Sequence, residues 1–257
     1  MKQQLESMLD GWRGWDIPPG TRPAFVRELG GGRSNRSFLL EAAGERMVLR
    51  VNAAEATLPG AGRQQEAEIW RAASNAGIAP PLLHADPGGD FLVSAYIESN
   101  LPNRPQDDQA LAEQALALLE RCHRLEVATP SIDYSSYIEL YWRAIETRGL
   151  EVGPQLLGQR AVMRSVLEEI AASGAATGLC HHDPVVANFV GTSERLYLLD
   201  WEYAARGLAV IDFAALAVEW GIDNEIIGAH AGIEPTLLDR AKAFYRYMCT
   251  LWDVVLD

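Results

Sequence analysis

A chain of 257 residues, 48% of them apolar, can bury the core of one domain or of two lobes, which excludes a disordered chain. Its 35 acidic against 22 basic residues leave a formal charge of −13, which excludes nucleic acid as a partner and mildly favours cationic ligands. Three cysteines without C-x-x-C spacing exclude a disulfide framework or zinc site, and the lack of a signal-peptide pattern or long apolar run predicts a cytoplasmic protein without membrane insertion.

Leu5, Met8 and Leu9 stand at helical spacing and predict a short N-terminal helix over 1–12, broken by Pro18-Pro19-Gly20. Strand-like runs follow at Phe25–Leu29, Ser37–Ala42 and Arg46–Val51, the last two joined by a hairpin turn at Ala43-Gly44-Glu45. Between the first two lies Gly30-Gly31-Gly32-Arg33-Ser34-Asn35-Arg36. Consecutive glycines let a backbone approach phosphates closely, and Ser34 and Asn35 add short hydrogen-bonding side chains; a flexible turn is the plainer reading. Alternation puts Arg50 on the same face as Val48, so a charge emerges from an apolar surface and needs an anionic partner. A helix over 63–76 offers Glu66 and Glu68 beside it, either of which could equally line a solvated face.

An apolar strand is predicted over 91–97, then a linker-like stretch at 99–106 that marks a lobe boundary, giving an N-terminal lobe 1–98 and a helical lobe 99–257. Helical spacing predicts helices over 107–124, 134–146, 159–172, 209–220 and 234–255. Before the last two lies LCHHDPVVANFVGTSERLYLLDWEY, residues 179–203, with a hairpin of two apolar runs around Gly191-Thr192-Ser193-Glu194. Asp183 precedes the hairpin, Asn188 opens it, and Asp200 follows it. A loop carboxylate, a nearby amide and a second carboxylate are what metal-assisted phosphoryl transfer requires. One carboxylate orients the hydroxyl nucleophile, while the amide and the other carboxylate hold magnesium on the nucleotide phosphates. His181 and His182 do not read as a metal pair, because adjacent strand residues point oppositely and no second ligand pair stands at suitable spacing.

Cys180-His181-His182-Asp183, Asn188-Phe189 and Leu199-Asp200-Trp201-Glu202-Tyr203 resemble the CHND-x-x-x-x-NF and IDWEY motifs of choline/ethanolamine kinases. Those enzymes share a protein-kinase-like fold with thiamine kinases and aminoglycoside phosphotransferases, and the likeness covers nearly the whole chain. The spacer Pro184-Val185-Val186-Ala187 departs from the family's more polar one but leaves Asp183, Asn188 and Asp200 in register. The resemblance implies an α+β, two-lobed fold with an antiparallel sheet lobe and a mostly helical lobe. It implies an ATP- and magnesium-dependent kinase of a small, cationic alcohol: choline or ethanolamine first, thiamine second, an aminoglycoside third. Asp183 would be the catalytic carboxylate, with Asn188 and Asp200 as metal ligands. The nucleotide would meet Gly31, Gly32, Ser34 and Asn35 of the glycine loop, with Arg50 oriented by Glu66. Adenine would meet the backbone of Ala95 and Ile97, in a hinge at about 94–99.

By the same resemblance His181 is architectural, Asp212 braces the catalytic loop, and His182 occupies a variable place open to either role. Glu219 and Trp252 are implied as the acid and the aromatic wall that meet a substrate ammonium, with Tyr245 and Tyr247 as weaker candidates; cations lie favourably over such rings. Tyr141 and Trp142 resemble a segment of bacterial thiamine kinases, although aromatics at helical spacing also suit a core. A nucleotide-binding scaffold without catalysis is the non-enzyme alternative, and its usual sign, loss of the base or of the metal carboxylate, is absent.

Overall fold

The structure, a computed structural model, describes residues 2–18, 20–30, 35–52, 63–102 and 108–256. Helix α1 (Lys2–Asp10) turns Leu5 and Leu9, one helical turn apart, onto the sheet that follows. Strands β1 (Ala24–Leu29), β2 (Arg36–Ala42) and β3 (Glu45–Val51) pair antiparallel in sequence order. Ala43 at φ 52° and Gly44 at φ 83° join the last two. Two left-handed residues in succession make the hairpin geometry that matches strand twist. Helix α2 (Arg63–Asn75) then leads to β4 (Leu82–Ala85) and β5 (Phe91–Ala95), completing the sheet order β1-β2-β3-β5-β4. The sequence does not foretell β4, because its four half-buried residues form an irregular edge without a readable period.

Helix α3 (Gln109–His123) begins on Asp108, whose carboxylate accepts the Leu111 N–H, and α4 (Tyr134–Arg148) on Asp133, which caps Ser135 and Ser136. Helix α5 (Pro154–Ala172) starts earlier than its apolar period suggests, since proline in the first turn already has a helical φ. Strands β6 (Thr177–Cys180), β7 (Phe189–Thr192), β8 (Arg195–Leu198) and β9 (Ala205–Leu208) form two small antiparallel sheets, β6 with β9 and β7 with β8. The second is the expected hairpin. Helices α6 (Ala209–Trp220), α7 (Asn224–Ala231) and α8 (Pro235–Leu256) close the chain, and α6 is buried almost all round. An antiparallel sheet followed by a helical body is the predicted α+β architecture.

The apolar interior falls into two clusters. One joins α1 to a sheet face through Leu9, Trp15, Leu40, Leu49 and Val93. The larger one fills the helical body around Leu116, Trp142, Trp220 and Phe244, and it includes Ile69, Trp70 and Ala73 of α2. Helix α2 packs beside β4 and yet contributes its apolar face to the cluster of the helical body, not to the one under α1.

Candidate active site

Strand β6 delivers the chain into the loop 181–185, and one buried carboxylate fixes that loop. Asp212, fully buried in the first turn of α6, accepts the backbone N–H groups of His181 (2.7 Å) and His182 (2.8 Å). It also accepts the His123 ring nitrogen, 2.9 Å away. Burial alone would raise the Asp212 pKa, but the hydrogen bond and charge of His123 hold it down at about 2. His123 and the two loop N–H groups all converge on this one carboxylate, while the nearby Cys180 thiol turns to the Gly178 carbonyl, so the grouping of His123, Cys180 and Asp212 reads as a structural brace with a neighbouring thiol.

His181 carries the brace onward. Its Nδ1 accepts the Asp183 N–H (3.3 Å), and its Nε2 lies 2.9 Å from the Leu199 carbonyl, to which it donates. Both contacts select one tautomer, and burial pushes the ring pKa down to about 4, so it is neutral near pH 7. The ring thereby spaces Asp183 from the residue that precedes Asp200. Asn188, in the short 3-10 turn Val186–Asn188, donates its amide to the Asp183 carboxylate (2.8 Å) and carbonyl (2.9 Å). Leu199 N–H in turn binds the Asn188 carbonyl at 2.8 Å. Asp183, Asn188 and Asp200 are thus brought together by backbone and ring contacts. Burial first, and the Asp200 charge second, raise the Asp183 carboxyl to about 7.

Asp200 follows β8 with φ 62°, a left-handed conformation costly for a side chain with a Cβ. Arg50 Nη1 reaches it at 2.6 Å, and Nη2 binds Glu66 of α2. Glu66 is fully buried, while Glu68 is exposed, so the helix offers only one of its two acids to Arg50. Glu202 is buried nearby, its carboxyl raised by burial and then by Asp200, and it accepts the Asn35 side chain at 3.2 Å. The remaining glycine-loop candidates, Gly31, Gly32 and Ser34, lie outside the described residues. Among the described residues, Glu66, Asp200 and Glu202 act on the cation Arg50, with Asp183 beside Asp200, an excess of negative charge that suits a divalent metal. The Arg50 Nε–H is buried and, among the described residues, without an acceptor, which suits a phosphate oxygen.

Backbone bonding narrows the adenine contact. Ala95 N–H is committed to Pro81 O at 2.9 Å, so the backbone group it can offer a base is its carbonyl. Proline has no N–H with which to return the bond. Tyr96 N–H is bound to Arg46 O (3.1 Å), so of the two expected hinge amides only Ile97 stands apart from the ladder bonds described.

Asp183, Asn188, Asp200 and Glu202 face one cavity of about 600 Å³. Glu219, Trp252, Tyr245 and Tyr141 line it, together with Tyr137 and Tyr203. Tyr245 donates its hydroxyl to Glu219 (3.0 Å), Trp252 its indole N–H to the Tyr203 hydroxyl (3.4 Å), and the hydroxyls of Tyr137 and Tyr141 meet at 2.9 Å. Tyr247 turns the other way and accepts the Trp142 indole in the core at 2.7 Å, so both residues are packing groups. Sequence reasoning missed Tyr137, Tyr203 and Asp253 as lining residues. The signal for Tyr137 was its separation of four from Tyr141, and for α8 the stripe Tyr245, Cys249, Trp252 on one helix face.

Comparison with known proteins places these residues in a family. The sequence profile of the phosphotransferase enzyme family (APH) matches residues 26–246. Among curated relatives, the Haemophilus influenzae protein LicA is 27% identical over 205 residues, 76% of this chain and 58% of that protein. Thiamine kinase of Shigella boydii serotype 4 is 28% identical over 197 residues, 76% of this chain and 66% of that protein. The chain thus spans less than two thirds of the length of either relative. A solved choline/ethanolamine kinase family protein from Mesorhizobium loti superposes with a TM-score of 0.77 at 23% identity, covering 98% of this chain and 84% of that one. That likeness carries the two-lobed, protein-kinase-like fold, and the profile match over most of the length carries the kinship: the chain belongs to the phosphotransferase enzyme family.

Proposed function

We propose that the chain transfers the terminal phosphoryl group of ATP to the hydroxyl of a small cationic alcohol, with magnesium as cofactor. One observation carries this reading. Asp183, flanked by Asn188 and Asp200, stands at the edge of a cavity whose walls are aromatic rings and acids. In the reaction the hydroxyl oxygen bonds to the γ-phosphorus, the bond from that phosphorus to the β,γ-bridging oxygen breaks, and ADP leaves. Asp183 orients the hydroxyl and receives its proton. A carboxyl with pKa near 7 is matched to that exchange near neutral pH. Asp200 and the Asn188 carboxamide oxygen would hold magnesium, which supplies charge neutralisation on the phosphates. Arg50 would bind a phosphate oxygen while Glu66 keeps its guanidinium oriented. Asn35 would join the phosphate side and Ala95 and Ile97 the base.

For the acceptor, Glu219 supplies the charge and Trp252, Tyr203 and Tyr245 the ring faces that suit an ammonium group. Choline or ethanolamine is the first reading. The breadth of the aromatic wall favours a second, because Tyr137, Tyr141, Tyr203, Tyr245 and Trp252 offer more ring surface than a small ammonium needs and so suit a larger aromatic cation such as thiamine. The likeness to thiamine kinases and to LicA proteins supports both. ADP release measured with choline, ethanolamine, thiamine and aminoglycosides separates them. Turnover with a cationic alcohol is expected. Preference for a neutral sugar would overturn the acceptor assignment, and nucleotide binding with no turnover of any acceptor would leave a scaffold.

A further inference from the structure

We propose that His182 is a positioning residue that sets the aromatic wall of the acceptor cavity through a relay from Tyr134 to Tyr203 and Trp252. The claim that this wall receives the acceptor rests on the function proposed above; the relay itself does not. His182 stands at φ 66°, a left-handed conformation that a residue with a Cβ adopts only at a cost. Its ring is held at both nitrogens. The Tyr203 carbonyl can only accept, so in the neutral ring Nε2 is the unprotonated nitrogen and takes the Tyr134 hydroxyl proton at 2.8 Å, while that hydroxyl accepts the Leu208 N–H at 3.1 Å. Nδ1 carries the ring proton and donates it to that carbonyl at 3.0 Å. Burial lowers the His182 pKa, which keeps the ring in this neutral form.

The order of donors therefore runs in one direction, from the β9 backbone through Tyr134 and His182 to the turn that carries Tyr203. The Tyr203 hydroxyl then receives the Trp252 indole N–H. Because both His182 nitrogens are engaged, the ring has no free site with which to take the acceptor's proton, although it lines the cavity beside Asp183. Its effect passes through Tyr203. Gly207 completes the device from the far side. A Cβ there would lie 2.4 Å from the Tyr134 hydroxyl and 2.8 Å from His182 Nε2, so the bond between them requires glycine at 207.

Two variants strike the relay from opposite ends: His182→Asn, whose residue tolerates a left-handed backbone and keeps the N–H to Asp212, and Gly207→Ala. For each, the Michaelis constant of the acceptor should rise about five- to tenfold, the size of one lost hydrogen bond, with kcat and the ATP constant within about twofold. The double variant should be no worse than the poorer single one, because both break one relay. A fall in kcat at unchanged acceptor constant, or multiplicative losses in the double variant, would overturn the proposal. A second measurement does not depend on turnover. The Trp252 indole resonance, assigned by its loss in Trp252→Phe, should shift in both variants while the folded spectrum persists. An unmoved resonance sinks the relay; a shift without activity on any alcohol keeps the relay and sinks the acceptor reading.

Discussion

Arg50 and Asp200 lie in direct contact, Nη1 to Oδ1 at 2.6 Å, so the strand cation and the proposed metal-binding carboxylate neutralise each other. Both groups are expected to take other partners when ATP and magnesium bind, and Glu66 then remains as the fixed counter-charge of Arg50. Exchange of partners, rather than creation of buried charge, makes ligand binding affordable at this site.

Asp200→Ala should therefore cost more activity than Asn188→Ala. It deletes the proposed charged oxygen ligand and the Arg50 ion pair with it, whereas Asn188→Ala removes a neutral ligand. Magnesium titrations of turnover in the two variants provide the comparison. Normal metal-dependent turnover in Asp200→Ala would show that the metal is held elsewhere.

Asp183→Asn should lower phosphoryl transfer by about 10²–10⁴-fold while ATP affinity survives, since the carboxylate acts on the acceptor hydroxyl. The same variant carries a stability signature. A carboxyl raised from 3.8 to about 7 favours the folded state when protonated, so its stabilisation is full below pH 3.8 and is lost as pH rises through 7. The variant should melt above the wild type at pH 8, with the gap closing toward pH 4. Equal melting temperatures at pH 8 would contradict the buried environment of Asp183.

The pH dependence of kcat/KM for the wild type should show a rising limb near pH 7 in the free enzyme, from ionisation of Asp183. Saturating magnesium should move that limb to lower pH, because neutralising Asp200 removes the second cause of the shift. A limb that ignores magnesium would separate the two carboxylates.

Asp212→Ala should destabilise the fold by about 3–5 kcal/mol, the range for breaking a buried charged network. The depressed pKa fixes the sign of its pH dependence: the stabilisation is present above 3.8 and is lost as pH falls through about 2. Chemical denaturation at pH 7 and at pH 3 should show the deficit shrinking in acid.

Glu219→Gln should raise the Michaelis constant for a cationic alcohol by the equivalent of about 1.5–3 kcal/mol, with ATP affinity barely altered. Tyr245 still has an acceptor in the glutamine amide oxygen, so the change isolates the charge. Unaltered kinetics with the cationic substrate would remove Glu219 from recognition.

The proposed catalytic stretch was legible as a spatial cluster because backbone geometry leaves it little freedom. Asp183 and Asn188 face each other across one short turn, and Asp200 must follow a strand that the His181 ring can span. Arg50 was legible because a charge on an apolar strand face demands a partner. Helix α7 escaped notice because it is a short segment interrupted by Gly228, and β6 and β9 because they are four-residue pieces paired across a long loop. The cavity proposed for the acceptor was legible only where one helix supplies several residues. Tyr137, Tyr203 and Tyr245 meet through the packing of separate segments, and no local period announces their convergence. The direction in which Tyr247 points likewise depends on the Trp142 indole across the core.

The division of the interior into two clusters assigns unequal roles to the two ends of the reaction. The acceptor walls on α4 and α8 are rooted in the larger cluster, and so is Glu66 through α2. Arg50 and the strands flanking the glycine loop belong to the sheet, whose smaller cluster is closed off by little more than α1. Amide exchange follows such differences, since a unit with less buried apolar surface opens more often. On that ground the sheet is the unit expected to open more often, so a nucleotide held as proposed would clamp the part of the molecule that breathes most, while the proposed acceptor would enter the firmer frame.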